Sequence, residues 1–511
     1  MKKTFILFLL LFLSETMLFS QNPKLVKDFN TGTGDAVPSW GTTFGAIGPL
    51  IYFTVSTEGN KTDLYSVVNE STKFIKTICT NCNPPATQIA DYKGNILFTV
   101  SENSAYSLWM SNGTDSNPTK LIELSGSASF IVVGNNNKAY IASGGNLYVT
   151  DGTEAGTKKL NTSYLDYASH KDNKDDKIFT PYKNGIAFLT NKFGNANLMY
   201  AEDQITSLAE FDAGSSFTDL FGLCEVAGGL VFGMESNGLY HYHESTGVKK
   251  TQLDEPLRLL DFNGSAVHYH YGKGLTLLHD NPLKSTPLVN KYGPVIQTEE
   301  LNRAIIGDKF IVHIDDYNSF KDLIISIDKS SKTAKILGQV ESYPSNFVTY
   351  NENMFFFDGT SNGFRPSLYH LKDDFSDLGD PKIEMNFNST NGPSAIPIGM
   401  NNNNLYFFSN LDASKGRELY KIAVDINTSV EDVSLKTEFD FTVVNNTLTI
   451  TGKEEYQKFE VVIIDTAGKV LDTQWVNAGV ATTLPGFNQP VIILAVEKES
   501  KKSLAKKIFM P

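Results

Sequence analysis

Histidine is the residue type that gathers in this sequence. Of eight histidines, His241 and His243 alternate along one segment, His268 and His270 along another, and His279 follows closely. Residues two apart on a strand share a face, so each pair could offer two imidazoles to zinc, copper or nickel. A carboxylate such as Glu244 or Asp280 would have to join for a complete site. The same spacing has a plainer explanation, in which aromatic-rich strands carry His at positions held elsewhere by Tyr. Both explanations remain open at the level of sequence.

Other candidate chemistry is sparser. The acidic turns Asp315-Asp316-Tyr317-Asn318, Asp358-Gly359-Thr360-Ser361-Asn362 and Asp172-Asn173-Lys174-Asp175-Asp176 lack the Asp-x-Asp-x-Asp-Gly spacing with a distant Glu that calcium loops use. They are expected to be solvated turns. No Gly-x-x-x-x-Gly-Lys-Ser/Thr occurs, so no phosphate loop is expected, and the single Gly-x-Ser-x-Gly spacing, Gly359-Thr360-Ser361-Asn362-Gly363, falls in a turn of an all-β segment rather than at the strand-to-helix elbow a nucleophile needs. No catalytic residue and no cofactor is expected, with calcium or a transition metal as the minor alternative. Cys79 and Cys82 form a Cys-x-x-Cys without a second pair to complete a zinc site, and an exported location favours a local disulfide between them. Cys224, between Leu223 and Glu225, is expected to be a small buried residue.

The export expectation comes from the N-terminus. Met1-Lys2-Lys3, an apolar run from Phe5 to Phe12 and small or polar residues up to Ser20 follow the three-part pattern of a secretory signal peptide. No later run is long and apolar enough for a transmembrane helix. The formal charge of −13 is concentrated in residues 21–435, which carry about −14. Such acidity repels nucleic acid and anionic membranes.

The elements that must position these residues repeat. A Leu anchor followed by an aromatic or apolar residue recurs at Leu64, Leu108, Leu147, Leu198, Leu239, Leu275, Leu323, Leu368 and Leu419, at intervals of 36 to 51 residues. Each copy reads as short β-branched and aromatic strands separated by Gly, Asn and Ser turns, which suits a four-stranded propeller blade. The fold class is therefore all-β, a single large β-propeller of eight or nine four-stranded blades. The copy at Leu275 matches least well, so the count depends on it. Lys24-Leu25-Val26-Lys27 arrives without preceding strands and is expected to complete the last blade, leaving no unpaired edge at the closure.

The best copy, Leu147-Tyr148-Val149-Thr150-Asp151-Gly152-Thr153-Glu154-Ala155-Gly156-Thr157, resembles the Glu-Leu-Trp-x-x-Asp-Gly-Thr-x-x-Gly-Thr repeats of bacterial extracellular β-propellers. There the Asp-Gly is expected to make a tight hairpin, with the following Thr hydroxyl tied to the turn backbone. From about residue 436 the rhythm changes to a charge-balanced β segment, a small immunoglobulin-like sandwich of strands. This tail resembles the C-terminal sorting domain, type A, of the type IX secretion system. Its signature turn is Ile464-Asp465-Thr466-Ala467-Gly468-Lys469-Val470 and its basic close is Ala505-Lys506-Lys507-Ile508-Phe509-Met510-Pro511. The resemblance implies that Asp465, Gly468 and Lys469 form a turn presented to the secretion machinery.

The expected organisation is a signal peptide over 1–20, a propeller over 21–435 and a sorting domain over 436–511. The expected function is a cell-surface or secreted binding module for an extracellular protein or glycan. The alternative is a polysaccharide hydrolase or lyase with two carboxylates at the channel mouth.

Overall fold

A computed structural model describes residues 23–37, 43–68, 70–80, 88–114, 117–161, 165, 167, 169–170, 178–192, 195–212, 219–234, 238–253, 258–270, 274–289, 303–316, 321–340, 344–358, 367–371, 383–384, 395–412, 414–424, 439–444, 447–452, 458–465, 470–477, 480–484, 491–497 and 503–508. The expected signal peptide, Cys82 and the turn at Gly468 and Lys469 lie outside these residues. Contacts divide the chain into two units, at Val424 and Asp425. The expected boundary at residue 435 falls among residues 425–438, which are not described.

Among the described residues of the first unit, nine successive groups of four antiparallel strands form propeller-like sheets. Sheet 1 contains Phe44–Ile47, Leu50–Thr57, Lys61–Val68 and Ser71–Thr80. Sheets 2 to 8 span residues 89–124, 128–159, 179–212, 219–250, 258–289, 303–340 and 348–384. Sheet 9 takes Ile396–Asn401, Asn404–Ser409 and Glu418–Ala423. Its fourth strand is Lys24–Lys27, with Lys24 opposite Lys421 and Leu25 opposite Tyr420. The N-terminal strand therefore closes the last sheet, as its sequence suggested. One parallel pair, Cys79 with Ser101, links the end of sheet 1 to the second strand of sheet 2.

Strand formation follows from composition. Asn146–Thr150 and Gly229–Met234 are buried along their whole length, because each sheet is covered on both faces by its neighbours. Shared cores join the sheets in sequence order. Tyr52 and Leu64 pack with Ile96 and Phe98, Leu108 with Ile141, and Leu239 with Ala266 and Leu278. Phe262 and Tyr269 of sheet 6 pack with Phe310 and Ile314 of sheet 7. The succession returns on itself, because Ile398, Tyr406 and Phe408 of sheet 9 share a core with Ile51 and Phe53 of sheet 1.

The poorly matching copy is a complete sheet. Gly274–His279 pairs on one side with Ala266–His270 and on the other with Lys284–Val289, and Leu275 is buried. The Asp-Gly hairpin expected at Asp151 needs correction. Asp151 and Gly152 open a seven-residue connection between Asn146–Thr150 and Lys158–Lys159. The Thr153 hydroxyl and N–H both donate to Asp151 Oδ1, at 2.7 and 2.9 Å, and Gly156 N–H donates to Thr153 Oγ1. Gly152 is required there at φ +95°, with Tyr92 of the preceding sheet 3.0 Å from where a Cβ would stand.

In the second unit, Phe439–Val444, Thr447–Gly452 and Thr482–Thr483 form one sheet. Val470–Asn477, Lys458–Asp465, Val491–Glu497 and Ser503–Ile508 form the other. Leu448 and Ile450 in the first sheet and Phe459, Val461 and Ile463 in the second are buried at alternate positions, so each sheet has a covered face.

If sheet 6 is structurally equivalent to the others, Leu275→Ala will cost about 2–5 kcal/mol, the cost of truncating a buried leucine, and as much as Leu147→Ala. Urea unfolding of the full chain measures both. A loss at Leu275 several times smaller than at Leu147 would show that sheet 6 is not integral to the ring.

Candidate functional site

The position just before the Leu anchor holds a buried polar group in six sheets. Asp63, Ser107, Asn146, Asn197, Asp322 and Glu418 are each at most 9% exposed. Each begins or nearly begins a third strand otherwise rich in apolar residues, and each is hydrogen-bonded, as buried polar groups must be. Asp63 accepts the hydroxyls of Thr57 and Thr77 at 2.8 and 2.7 Å. Ser107 accepts Trp109 Nε1–H, and Asn146 donates to Ser125 Oγ. Asn197 Oδ1 accepts Ser207, Asp322 Oδ1 lies 2.6 Å from His313 Nε2, and Glu418 Oε2 accepts Phe29 N–H at 2.7 Å. The sequence reading missed this set. Its signal was available in the polar residue that precedes most anchor leucines, with Gly238 and Gly274 as the exceptions.

The histidine pairs do not make one cluster in the described structure. His241 and His243 lie on the third strand of sheet 5, and His268 lies on the second strand of sheet 6 between Leu259 and Thr276. The side chain of His270 is outside the described residues. The rings of His241 and His243 are 6.5 Å apart. His241 Nε2 is buried without a hydrogen-bond partner, 2.6 Å from where a Cβ at Gly229 would stand. Burial, followed by the charges of His243 and Lys249, pushes its pKa below the ordinary 6.5.

His243 uses both nitrogens. Nδ1 lies 2.8 Å from Ser245 Oγ and Nε2 accepts Asn281 Nδ2–H at 2.7 Å. His279 bonds Thr286 Oγ1 through Nε2, while its Nδ1 lies 3.1 Å from Asp280. The bond from His279, then that from Lys284, holds Asp280 down to about 2. His370, two residues after its anchor like His241, stacks on Phe355 at 4.5 Å and 10°. That is aromatic behaviour. Among the described residues, no three or more His, Cys, Asp or Glu side chains are arranged to hold a metal.

The first strands of the sheets, which would line a channel, carry few described carboxylates. Asp91 in sheet 2 accepts the Tyr52 hydroxyl at 2.6 Å, and burial raises the pKa of both groups. Glu225 Oε1 accepts the N–H of Gly228 in its own turn. Ser169–His170 pairs in parallel with Asp219 and Leu220, adding a strand on the free side of the first strand of sheet 5. Of the expected acidic turns, Asp315 and Asp316 instead end the strand Lys309–Asp316, opposite Asp322 and Lys321, and Asp358 makes a bridge with Pro344, while residues 172–176, 317–318 and 359–362 are not described. Cys79 is disulfide-bonded, and Cys224 is a buried thiol directed at the Leu259 carbonyl oxygen. In the second unit Asp465 ends its strand opposite Val491.

Pairs of turns bridge neighbouring sheets on one side of the first unit. Lys138 in the first turn of sheet 3 reaches Asp203 in the last turn of sheet 4 at 2.7 Å, and Lys183 of sheet 4 reaches Glu244 of sheet 5 in the same way. Lys93 of sheet 2 donates to the Asp151 carbonyl of sheet 3, and Lys329 of sheet 7 to the Asn263 carbonyl of sheet 6. Glu70 of sheet 1 pairs with Lys421 and accepts Asn404 Nδ2–H of sheet 9.

No protein-family model matches the chain, and no curated protein matches it. Among solved structures it is similar to a puromycin-hydrolysing peptidase from Mycobacterium tuberculosis, with TM-score 0.38 and 10% identity, covering 72% of this chain and 57% of that one. The chain thus spans little more than half the length of that peptidase. It is also similar to an oligogalacturonate lyase from Vibrio parahaemolyticus, with TM-score 0.35, 8% identity and coverages of 75% and 98%. The extracellular domain of a one-component system from B. thetaiotaomicron gives TM-score 0.25, 10% identity and coverages of 96% and 98%. At these TM-scores none of the three bears on what this chain does.

Two outcomes follow from the site chemistry. Asp322→Ala removes the buried carboxylate that His313 Nε2 meets at 2.6 Å and is expected to cost about 3–5 kcal/mol, whereas the double variant His313→Leu/Asp322→Leu loses less than that in the same urea unfolding. A double variant as damaged as Asp322→Ala would contradict a pair that needs both members. Burial lowers the pKa of His241 in the folded chain, so below pH 6.5 the unfolded chain binds the proton more readily and stability falls on acidification. Its imidazole NMR titration is expected to have a midpoint below 6.5; a midpoint at or above 6.5 would refute that account.

Proposed function

We propose that the chain is an exported binding protein, a closed nine-bladed β-propeller that recognises an extracellular protein or glycan and is followed by an immunoglobulin-like type IX sorting domain. The observation that carries the binding reading is the division of labour around the sheets. The short turns of one side are tied together by the lysine and asparagine bridges, and the buried polar groups before the anchors are committed to holding strands. Connections from one sheet to the next leave from the opposite ends of the strands, and they vary in length and composition from copy to copy. Variable connections on a repeated rigid frame are where recognition is built. The signal-like N-terminus, the Asp-Gly-Thr repeat and the basic C-terminal close supply the address.

Secretion and binding are tested together in a bacterium that has type IX secretion. The full chain is expected at the cell surface or in the medium, the chain lacking residues 436–511 in the periplasm, and an exported reporter carrying residues 436–511 outside the cell. Release of the truncated chain with retention of the reporter fusion would remove the sorting role. The purified chain on polysaccharide and surface-protein arrays is expected to bind without releasing new sugar ends. Release of unsaturated or reducing ends would replace binding with the hydrolase or lyase reading.

A further inference from the structure

We propose that the seam joining the N-terminal strand to sheet 9 is a site for a hard divalent cation, calcium, held by the carboxylates of Asp28 and Glu418 with neutral oxygens from Ser409 and Asn410. The register brings these residues to one place. Lys27 pairs with Leu419, so Asp28 follows alongside Glu418, and Ser409 pairs with Glu418 from the other side. Asn410 is the next residue in the chain.

The seam holds four buried side-chain oxygens that meet no hydrogen-bond partner among the described residues. Glu418 is fully buried; Oε2 takes the Phe29 N–H, the Asn30 N–H also acts on the carboxylate, and Oε1 is buried without a hydrogen-bond partner of its own. Asp28 Oδ2 pairs with Lys415 at 2.7 Å, while its buried Oδ1 has none. Ser409 Oγ, on a side chain with no exposure, and Asn410 Oδ1 are likewise buried and unpartnered. Each such oxygen is costly, because a buried polar atom forfeits its water without replacement. Charge sharpens the cost. Burial, then repulsion from Asp28 and Asp35, pushes Glu418 up to about 7.

Lys415 is the ammonium paired here and it is spent on Asp28, while Asp35 Oδ1 is engaged by Arg417 N–H. A doubly charged ion would balance the Asp28 and Glu418 carboxylates. A donor set of carboxylate, amide and hydroxyl oxygens, with no nitrogen or sulfur, suits calcium rather than zinc or copper. Binding there would fasten residues 28–30 to sheet 9 and so tie ring closure to the cation.

The test uses the full chain stripped with chelator and then titrated with calcium chloride alone, followed by calorimetric binding and thermal unfolding at fixed pH. One equivalent of calcium is expected to bind and to raise Tm saturably. Glu418→Gln and Asp28→Asn are expected to abolish binding, and Ser409→Ala, which keeps both carboxylates, to weaken it about tenfold, the scale of one lost polar contact. Asp280→Asn, on a different sheet, should bind as the parent does. The proposal is overturned if calcium leaves Tm unchanged in the parent, or if all three seam variants bind calcium as the parent does. It is also overturned if acidification from pH 8 to 6 in chelator stabilises the seam while calcium has no effect. In that case the two carboxylates share a proton.

Discussion

A four-stranded sheet with two apolar faces cannot be left uncovered on either, and this constraint governs the first unit. Strands such as Asn146–Thr150 bury every residue, so each sheet needs a neighbour on both sides. A linear stack would leave its two end sheets half exposed. Returning the succession on itself, through the core shared by Phe408 of sheet 9 and Phe53 of sheet 1, removes both ends at once. That return depends on a strand drawn from the other end of the chain, Lys24–Lys27. Closure over nearly the whole unit carries a large loop entropy, and it must be offset by the contacts made when the ring is complete.

The buried polar groups before the anchor leucines answer a second constraint. Apolar packing holds the middle of each sheet but does not specify how far each strand extends, because a slipped register can still bury apolar residues. A buried polar group with one set of partners makes the slip costly. Asn146, Asp322 and Glu418 do this with different chemistry at the same position: an amide to a serine, a carboxylate to a histidine, a carboxylate to a backbone N–H. In sheet 9 the same device reaches across to Phe29, so the group that sets register elsewhere also fastens the closure.

Much of this architecture was legible because the anchor repeats. Leu64 through Leu419 located every sheet, and even the weak copy at Leu275 marks a complete one. The closing strand was legible from its isolation at the N-terminus. Less legible was the Asp151–Thr157 connection, since Asp-Gly is as suited to opening a longer Asx-type turn as to a two-residue hairpin; Tyr92, remote in sequence, packs against Gly152 there. The histidines misled for a related reason. Alternation places two side chains on one face, but whether their nitrogens are available depends on partners such as Ser245 and Asn281, which periodicity does not encode.

The acidic charge acquires a structural meaning when the turns are compared. Exposed ion pairs such as Lys138–Asp203 contribute little individually, typically about 0–1 kcal/mol. Their value lies in arrangement. Lysines at the first turn of sheets 3 and 4 meet acidic residues in the last turn of the following sheet, so excess negative charge on that side is partly neutralised between neighbours. Glu418, Asp28 and Ser409 stand at the opposite ends of the strands, where the second and third strands of sheet 9 meet. There the carboxylates are crowded, one of them is fully buried, and Lys415 pairs with Asp28 alone. An acidic ring can tolerate a side tied by its own lysines; at the closure seam, where Glu418 is buried and raised to about 7, the proposed cation would balance the carboxylates.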